Sequence, residues 1–162
     1  MTLVKVRSRG INLADDFAFS GTVSGAGGGK INQVLSTVYN TQTSVTATSF
    51  TALSGFSQAI TPSATSSKIY VIVSSAWEQT GTSEGYGTIY RDSTNLAAQN
   101  RFARNYGHDN HYNVAGFTMS FLDSPNSTSS LTYAVYTRVA AGTATWNPAV
   151  HTSTITVMEI LA

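Results

Sequence analysis

Thr61-Pro62-Ser63-Ala64-Thr65-Ser66-Ser67 runs directly into Lys68-Ile69-Tyr70-Val71-Ile72-Val73-Ser74-Ser75, and this junction constrains the fold more than any other stretch. The proline and the small hydroxyl residues end whatever precedes them. The β-branched and aromatic run that follows is apolar on both faces, which predicts a central strand. An open edge on Ile69–Val73 would template aggregation, so the strand must be paired on both sides.

The rest of the chain repeats this grammar. Strands are expected at Ile31–Tyr39, at Val45–Phe56 with Ser57–Ile60 leading into the Pro62 turn, and at Lys68–Trp77. Further strands are expected at Gly85–Asp92, Asn95–Arg104, Tyr112–Leu122, Leu131–Val139 and Ser153–Leu161. Only Leu96–Arg104, with Ala97, Ala98 and Gln99, could start a helical turn. Short strands separated by turn signals, with no sustained helical period, predict an all-β fold: a single antiparallel β-sandwich, jelly-roll-like.

A chain of 162 residues is large enough to bury one core without disulfides, and it has no cysteine to make them. Charged residues make up 10% of the chain, against roughly 25% in an average soluble domain, so Ser, Thr and Asn must carry much of the surface. A net charge of +1 supplies no field to draw in nucleic acid or anionic lipid. No apolar run approaches the roughly 20 residues of a membrane helix, and Met1–Arg9 lacks the apolar stretch of a signal peptide. The expectation is a soluble protein made in a cytoplasm, with neither nucleic acid nor membrane as partner.

Residues 1–29 read as a separate arm and joint, and residues 30–162 as the sandwich domain. In an extended conformation Lys5, Arg7 and Arg9 share one face, and Val4 and Val6 the other. That pattern fits a solvated terminus, or an arm that adds a strand to a partner and sets its cations against acidic groups there. Ile11, Leu13, Phe17 and Phe19 follow, and Ser24–Gly29 is a flexible joint. Gly29-Lys30 is no phosphate loop, because Ser24 stands where the first glycine is needed and Ile31 where a hydroxyl is needed.

Chemistry-bearing residues are sparse. The eight carboxylates sit mostly at turns and strand ends without an evident acid–base pair. The densest polar stretch is Arg104–Tyr112, where Tyr106, His108, Asp109, His111 and Tyr112 read as a loop. A metal site there is disfavoured, since histidines three apart fall on opposite faces of a strand. Stacking and hydrogen bonding to a saccharide is the other reading of the same loop. His151 has no evident partner and no serine sits in a nucleophile elbow, so neither an enzyme nor a cofactor is expected.

Phe56–Val71, then Ile89-Tyr90-Arg91-Asp92, then Phe121-Leu122-Asp123-Ser124-Pro125, then Thr154–Ile160 resemble a family of bacteriophage virion surface proteins common in aquatic and cyanobacterial phages. Its members resemble capsid decoration proteins, head fibres and tail-fibre tips. The resemblance implies a sandwich that assembles as a homotrimer on the outer surface of the particle. Two functions follow as expectations. One is a capsid decoration or cement protein, bound to the major capsid protein or another virion protein through Val4, Lys5, Val6, Arg7, Arg9, Ile11, Leu13, Phe17 and Phe19. The other is a fibre tip that recognises a host-surface glycan through the Asn105–Tyr112 loop; the short segment ahead of the domain leaves little room for a shaft and favours the first.

Overall fold

The computed structural model describes residues 30–108 and 113–161, which form two antiparallel sheets packed face to face. The strands are β1 (Ile31–Tyr39), β2 (Thr43–Val45), β3 (Thr51–Ile60), β4 (Lys68–Thr80), β5 (Glu84–Arg91) and β6 (Thr94–Asn95). They continue with β7 (Ala103–Tyr106), β8 (Asn113–Asp123), β9 (Leu131–Val139), β10 (Thr143–Trp146) and β11 (Ser153–Ile160). The expected all-β sandwich is what the chain forms.

β4 organises the first sheet. One edge pairs with β8 along Ile69–Gln79, while the other pairs with β11 over Lys68–Ser74 and with β10 over Trp77–Thr80. β1 extends the sheet beyond β11, and β2 extends it beyond β10. The aggregation-prone run is therefore closed on both edges. Where the second edge changes partner, Asn147 fills the break: its backbone N–H donates to Ala76 O at 3.0 Å and its Nδ2 to Tyr39 O at 2.7 Å.

The second sheet runs β3-β9-β5, with β6 and β7 sharing the far edge of β5. In β9 the sequence Leu-Thr-Tyr-Ala-Val-Tyr-Thr-Arg-Val alternates, so Leu131, Tyr133, Val135, Thr137 and Val139 are buried between the sheets. Ile69, Val71 and Val73 face them from β4, and Ile155 and Val157 from β11. At one end the core is aromatic. Trp77 meets Trp146 edge-on at 4.5 Å and Phe117 at 4.7 Å, while Tyr39 stacks on Phe56 at 4.6 Å. Gly87 makes room for this cluster, since a methyl group there would lie 2.5 Å from the Trp77 ring.

Two expectations need correction, and one strand was not expected. Val45–Phe56 is not one strand, because Val45 ends β2 in the first sheet and Thr51 begins β3 in the second, with the chain crossing the sandwich between them. Asn95–Arg104 is neither a continuous strand nor a helical turn. It breaks into β6, a turn at Asn100 (φ 65°) and β7, because Asn95 Oδ1 accepts the Ala97 N–H and Asn95 Nδ2 donates to Asn100 O, closing a local turn. β10 went unexpected, being four residues of Thr-Ala-Thr-Trp just beyond Gly142.

Candidate interaction faces

Of the residues expected to contact partners, Val4, Lys5, Val6, Arg7, Arg9, Ile11, Leu13, Phe17 and Phe19 lie outside the described residues, as do Asp109, His111 and Tyr112. Tyr106 and His108 lie within them and are exposed. Asn105 and Tyr106 belong to the end of β7 rather than to a loop, with Tyr106 opposite Glu84 of β5. Strand parity turns Asn105 inward, where its Nδ2 lies 3.4 Å from Trp77 O. Gly107 then packs against the chain after β4, so closely that a methyl group would lie 2.3 Å from Gly81 O, and its N–H donates to Ser83 O. The segment opening the loop is thus fixed strand and turn.

The outer face of the first sheet carries a row of apolar side chains. Register places Leu122 of β8 opposite Tyr70 of β4, Tyr70 opposite Met158 of β11, and Met158 opposite Val34 of β1. All four share the outward parity, with the core residues Val71 and Val157 on the opposite one. Val34 is 53% exposed and Leu122 46%, so nothing in the described chain covers the ends of the row. Ile72 and the Ile31–Ile160 pair flank it on either side. Outer faces of sandwiches are ordinarily polar, so this apolar strip is a candidate contact surface.

The outer face of the second sheet differs in kind. Tyr86, Thr88 and Tyr90 of β5 stand beside Arg138 and Tyr136 of β9, with Tyr86 directly opposite Arg138. Tyr90 stacks on Tyr136, with centroids 3.9 Å apart and planes 20° apart. The Arg138 guanidinium lies 4.1 Å from the centre of Tyr86 and 5.3 Å from that of Phe50, and Arg101 approaches Tyr86 at 5.0 Å. The Tyr86 hydroxyl donates to Glu84, a bond that, with burial and the negative charge beside it, holds the phenol above its ordinary range. Beside this cluster a groove of about 430 Å³ is lined by Phe50, Tyr90 and Arg138, with Thr48, Ser49, Asn95 and Asn100.

Two further polar centres serve the fold. The Glu159 carboxylate is buried on β11 and accepts five hydrogen bonds. Its Oε1 takes the Ser63 N–H (2.6 Å), the Ser63 hydroxyl (2.6 Å) and the Ser67 hydroxyl (2.7 Å). Its Oε2 takes Asn32 Nδ2 (2.8 Å) and Gln33 Nε2 (2.7 Å), which an irregularity in β1 at residues 31–33 brings to one carboxylate. At the end of β8, Asp123 binds the Arg91 guanidinium through both oxygens (2.8 and 2.6 Å) and accepts the Tyr133 hydroxyl at 2.7 Å. Burial and that bond to Asp123 push the Tyr133 phenol up. Among the described residues no group of three or more His, Asp or Glu is placed to hold a metal ion. No described helix is long and apolar enough to cross a membrane.

A scan against protein-family models finds no match, and a search of curated proteins finds none either. Among solved structures, that of infectious bursal disease virus, Gt strain, is similar over 82% of this chain and 39% of that chain, at 14% identity and a TM-score of 0.40. For the Gx strain of the same virus the shares are 80% and 37%, at 14% identity and a TM-score of 0.42. For the VP2 subviral particle of that virus they are 80% and 37%, at 14% identity and a TM-score of 0.37. The chain thus spans less than two fifths of the length of these proteins.

Proposed function

We propose that this chain is a structural protein of the outer surface of a bacteriophage particle, a decoration or cement protein that assembles as a homotrimer and docks on the capsid shell through residues 1–29. The observation that carries the reading is the Leu122–Tyr70–Met158–Val34 row, an apolar strip across four strands of a low-charge sandwich. A second copy of the same chain is its occupant, because both ends of the row lie on edge strands where a neighbouring subunit can continue it. The family resemblance of the sequence supports the position on the virion. Val4, Val6, Ile11, Leu13, Phe17 and Phe19 would supply apolar anchorage on the shell, and Lys5, Arg7 and Arg9 a salt-sensitive contribution to register.

A second reading, a head-fibre or tail-fibre tip that binds a host-surface glycan, is favoured by the aromatic and arginine-lined groove on the second sheet. Copy number per particle separates the two, measured by quantitative staining against the major shell protein. Hundreds of copies in a simple ratio to that protein are expected for decoration; a few to a few dozen would make the chain a fibre component. Deleting Met1–Gly10 is expected to leave a folded trimer that no longer joins the particle. Incorporation at the normal level would remove the arm from the docking mechanism.

A further inference from the structure

We propose that the groove beside Phe50, Tyr90 and Arg138 is a binding site for an acidic saccharide, a sugar ring bearing a carboxylate or sulfate. The inference deepens the second reading above. It is tested on the isolated protein, so its failure is separable from any result on copy number.

Arg138 carries the argument. Among the described residues, the carboxylates that meet an arginine are Asp123, with Arg91, and Glu84, with Arg104 at 2.9 Å. Both oxygens of Glu84 are engaged, one by Arg104 and the other by the Tyr86 hydroxyl. Arg138 is balanced instead by the faces of Tyr86 and Phe50, which hold the guanidinium in place without neutralising it. A planar, fixed guanidinium at the wall of a groove is matched to a carboxylate or sulfate, whose paired oxygens accept two parallel N–H bonds.

The other walls suit a sugar. Tyr90 cannot swing freely, because Tyr136 is stacked on it, so it presents a rigid ring at little entropic cost. Beside Tyr90, its cross-strand neighbour Asn95 is held just as firmly: Asn95 Oδ1 accepts the Thr88 hydroxyl at 2.7 Å and the Ala97 N–H at 3.0 Å, while Asn95 Nδ2 donates to Asn100 O at 3.0 Å. Thr48, Ser49 and Asn100 are exposed on the rim and supply the short hydroxyl and amide groups that pair with sugar hydroxyls. A volume of about 430 Å³ lies within the roughly 300–1,000 Å³ of small-molecule sites and accommodates one or two sugar rings. The groove lining carries a single cation, Arg138, which fits one anionic group better than a phosphate backbone.

The test is calorimetric titration of the full-length protein with uronate oligosaccharides, sulfated oligosaccharides and their neutral counterparts. Binding of at least one acidic series is expected, about tenfold or more tighter than its neutral counterpart, and the preferred series identifies the anion. Arg138→Gln is expected to abolish that preference while lowering the melting temperature only modestly, through loss of stacking on Tyr86 and Phe50. Should Arg138→Gln fail to fold, Ser49→Trp, on the exposed rim, is expected to block the groove and abolish binding. Equal affinity for neutral and acidic oligosaccharides, no binding across all three series, or full binding by Ser49→Trp would overturn the proposal. So would inorganic sulfate or acetate competing as well as the oligosaccharide, which would make the groove a seat for small anions.

Discussion

Replacing Glu159 by alanine is expected to lower the free energy of unfolding by about 2–3 kcal/mol, read from chemical denaturation at neutral pH. Five donors converge on this carboxylate from two segments: Asn32 and Gln33 on β1, and Ser63 and Ser67 in the turn that launches β4. Removing the acceptor leaves the buried Ser67 hydroxyl without its partner and releases the bonds that tie Asn32, Gln33 and Ser63 to β11. Glu159→Gln separates the charge from the volume. It fills the same space, but turns one acceptor oxygen into an NH₂ aimed at two or three donors, so most of the loss is expected to remain.

The pH dependence has a definite sign. Burial pushes the Glu159 carboxyl up, but the hydrogen bonds from Asn32, Ser63, Ser67 and Gln33 outweigh it and hold the carboxyl well below the usual carboxylate range. A folded-state pKa below the unfolded value of about 4.3 means that the unfolded chain takes up this proton first. The contribution to stability is therefore complete above about pH 5 and is lost as pH falls, at up to about 1.4 kcal/mol per pH unit. Glu159→Gln is expected to lack this component below pH 5, so its stability should converge on that of the wild type as the solution is acidified. If the two stability curves instead keep a constant separation between about pH 5 and pH 3, another group titrates.

Glu159 also shows where reading the chain alone stops. Its parity was visible: Ile155, Val157 and Glu159 alternate on one face, so a carboxylate stands where an aliphatic core residue is expected. Its partners were not, since they lie 92 to 127 residues away in sequence. The strands β1 and β9 were legible to the residue because turn signals bound a clear β pattern. β2 and β3 were not separable, because the place where the chain leaves one sheet for the other is decided by pairing with β10 and β9, a long-range fact. The same holds for both faces. Tyr70 and Ile72 made β4 apolar on both sides, but only register aligns Tyr70 with Leu122, Met158 and Val34, and only the β5–β9 pairing sets Arg138 over Tyr86.

That alignment makes the self-association testable. If the chain trimerises through this row as proposed, Val34→Asp together with Leu122→Asp is expected to leave a monomer, measured by sedimentation or mass photometry, with the melting transition of the monomer preserved. Val34 and Leu122 are about half exposed in the single chain, so a carboxylate at either position stays hydrated and costs the isolated fold little. In the proposed trimer each would fall within the contact, and threefold symmetry would place every substitution there three times. Burying an unpaired carboxylate costs several kcal/mol, and each 1.4 kcal/mol is tenfold, so a dissociation constant raised by about a thousandfold or more is expected. A wild-type protein that is monomeric at micromolar concentration would end the trimer proposal. A trimer that survives both substitutions would move the contact off this face. A variant that unfolds would show that the row supports the sandwich itself, leaving the surface of the second sheet as the interaction face of the domain.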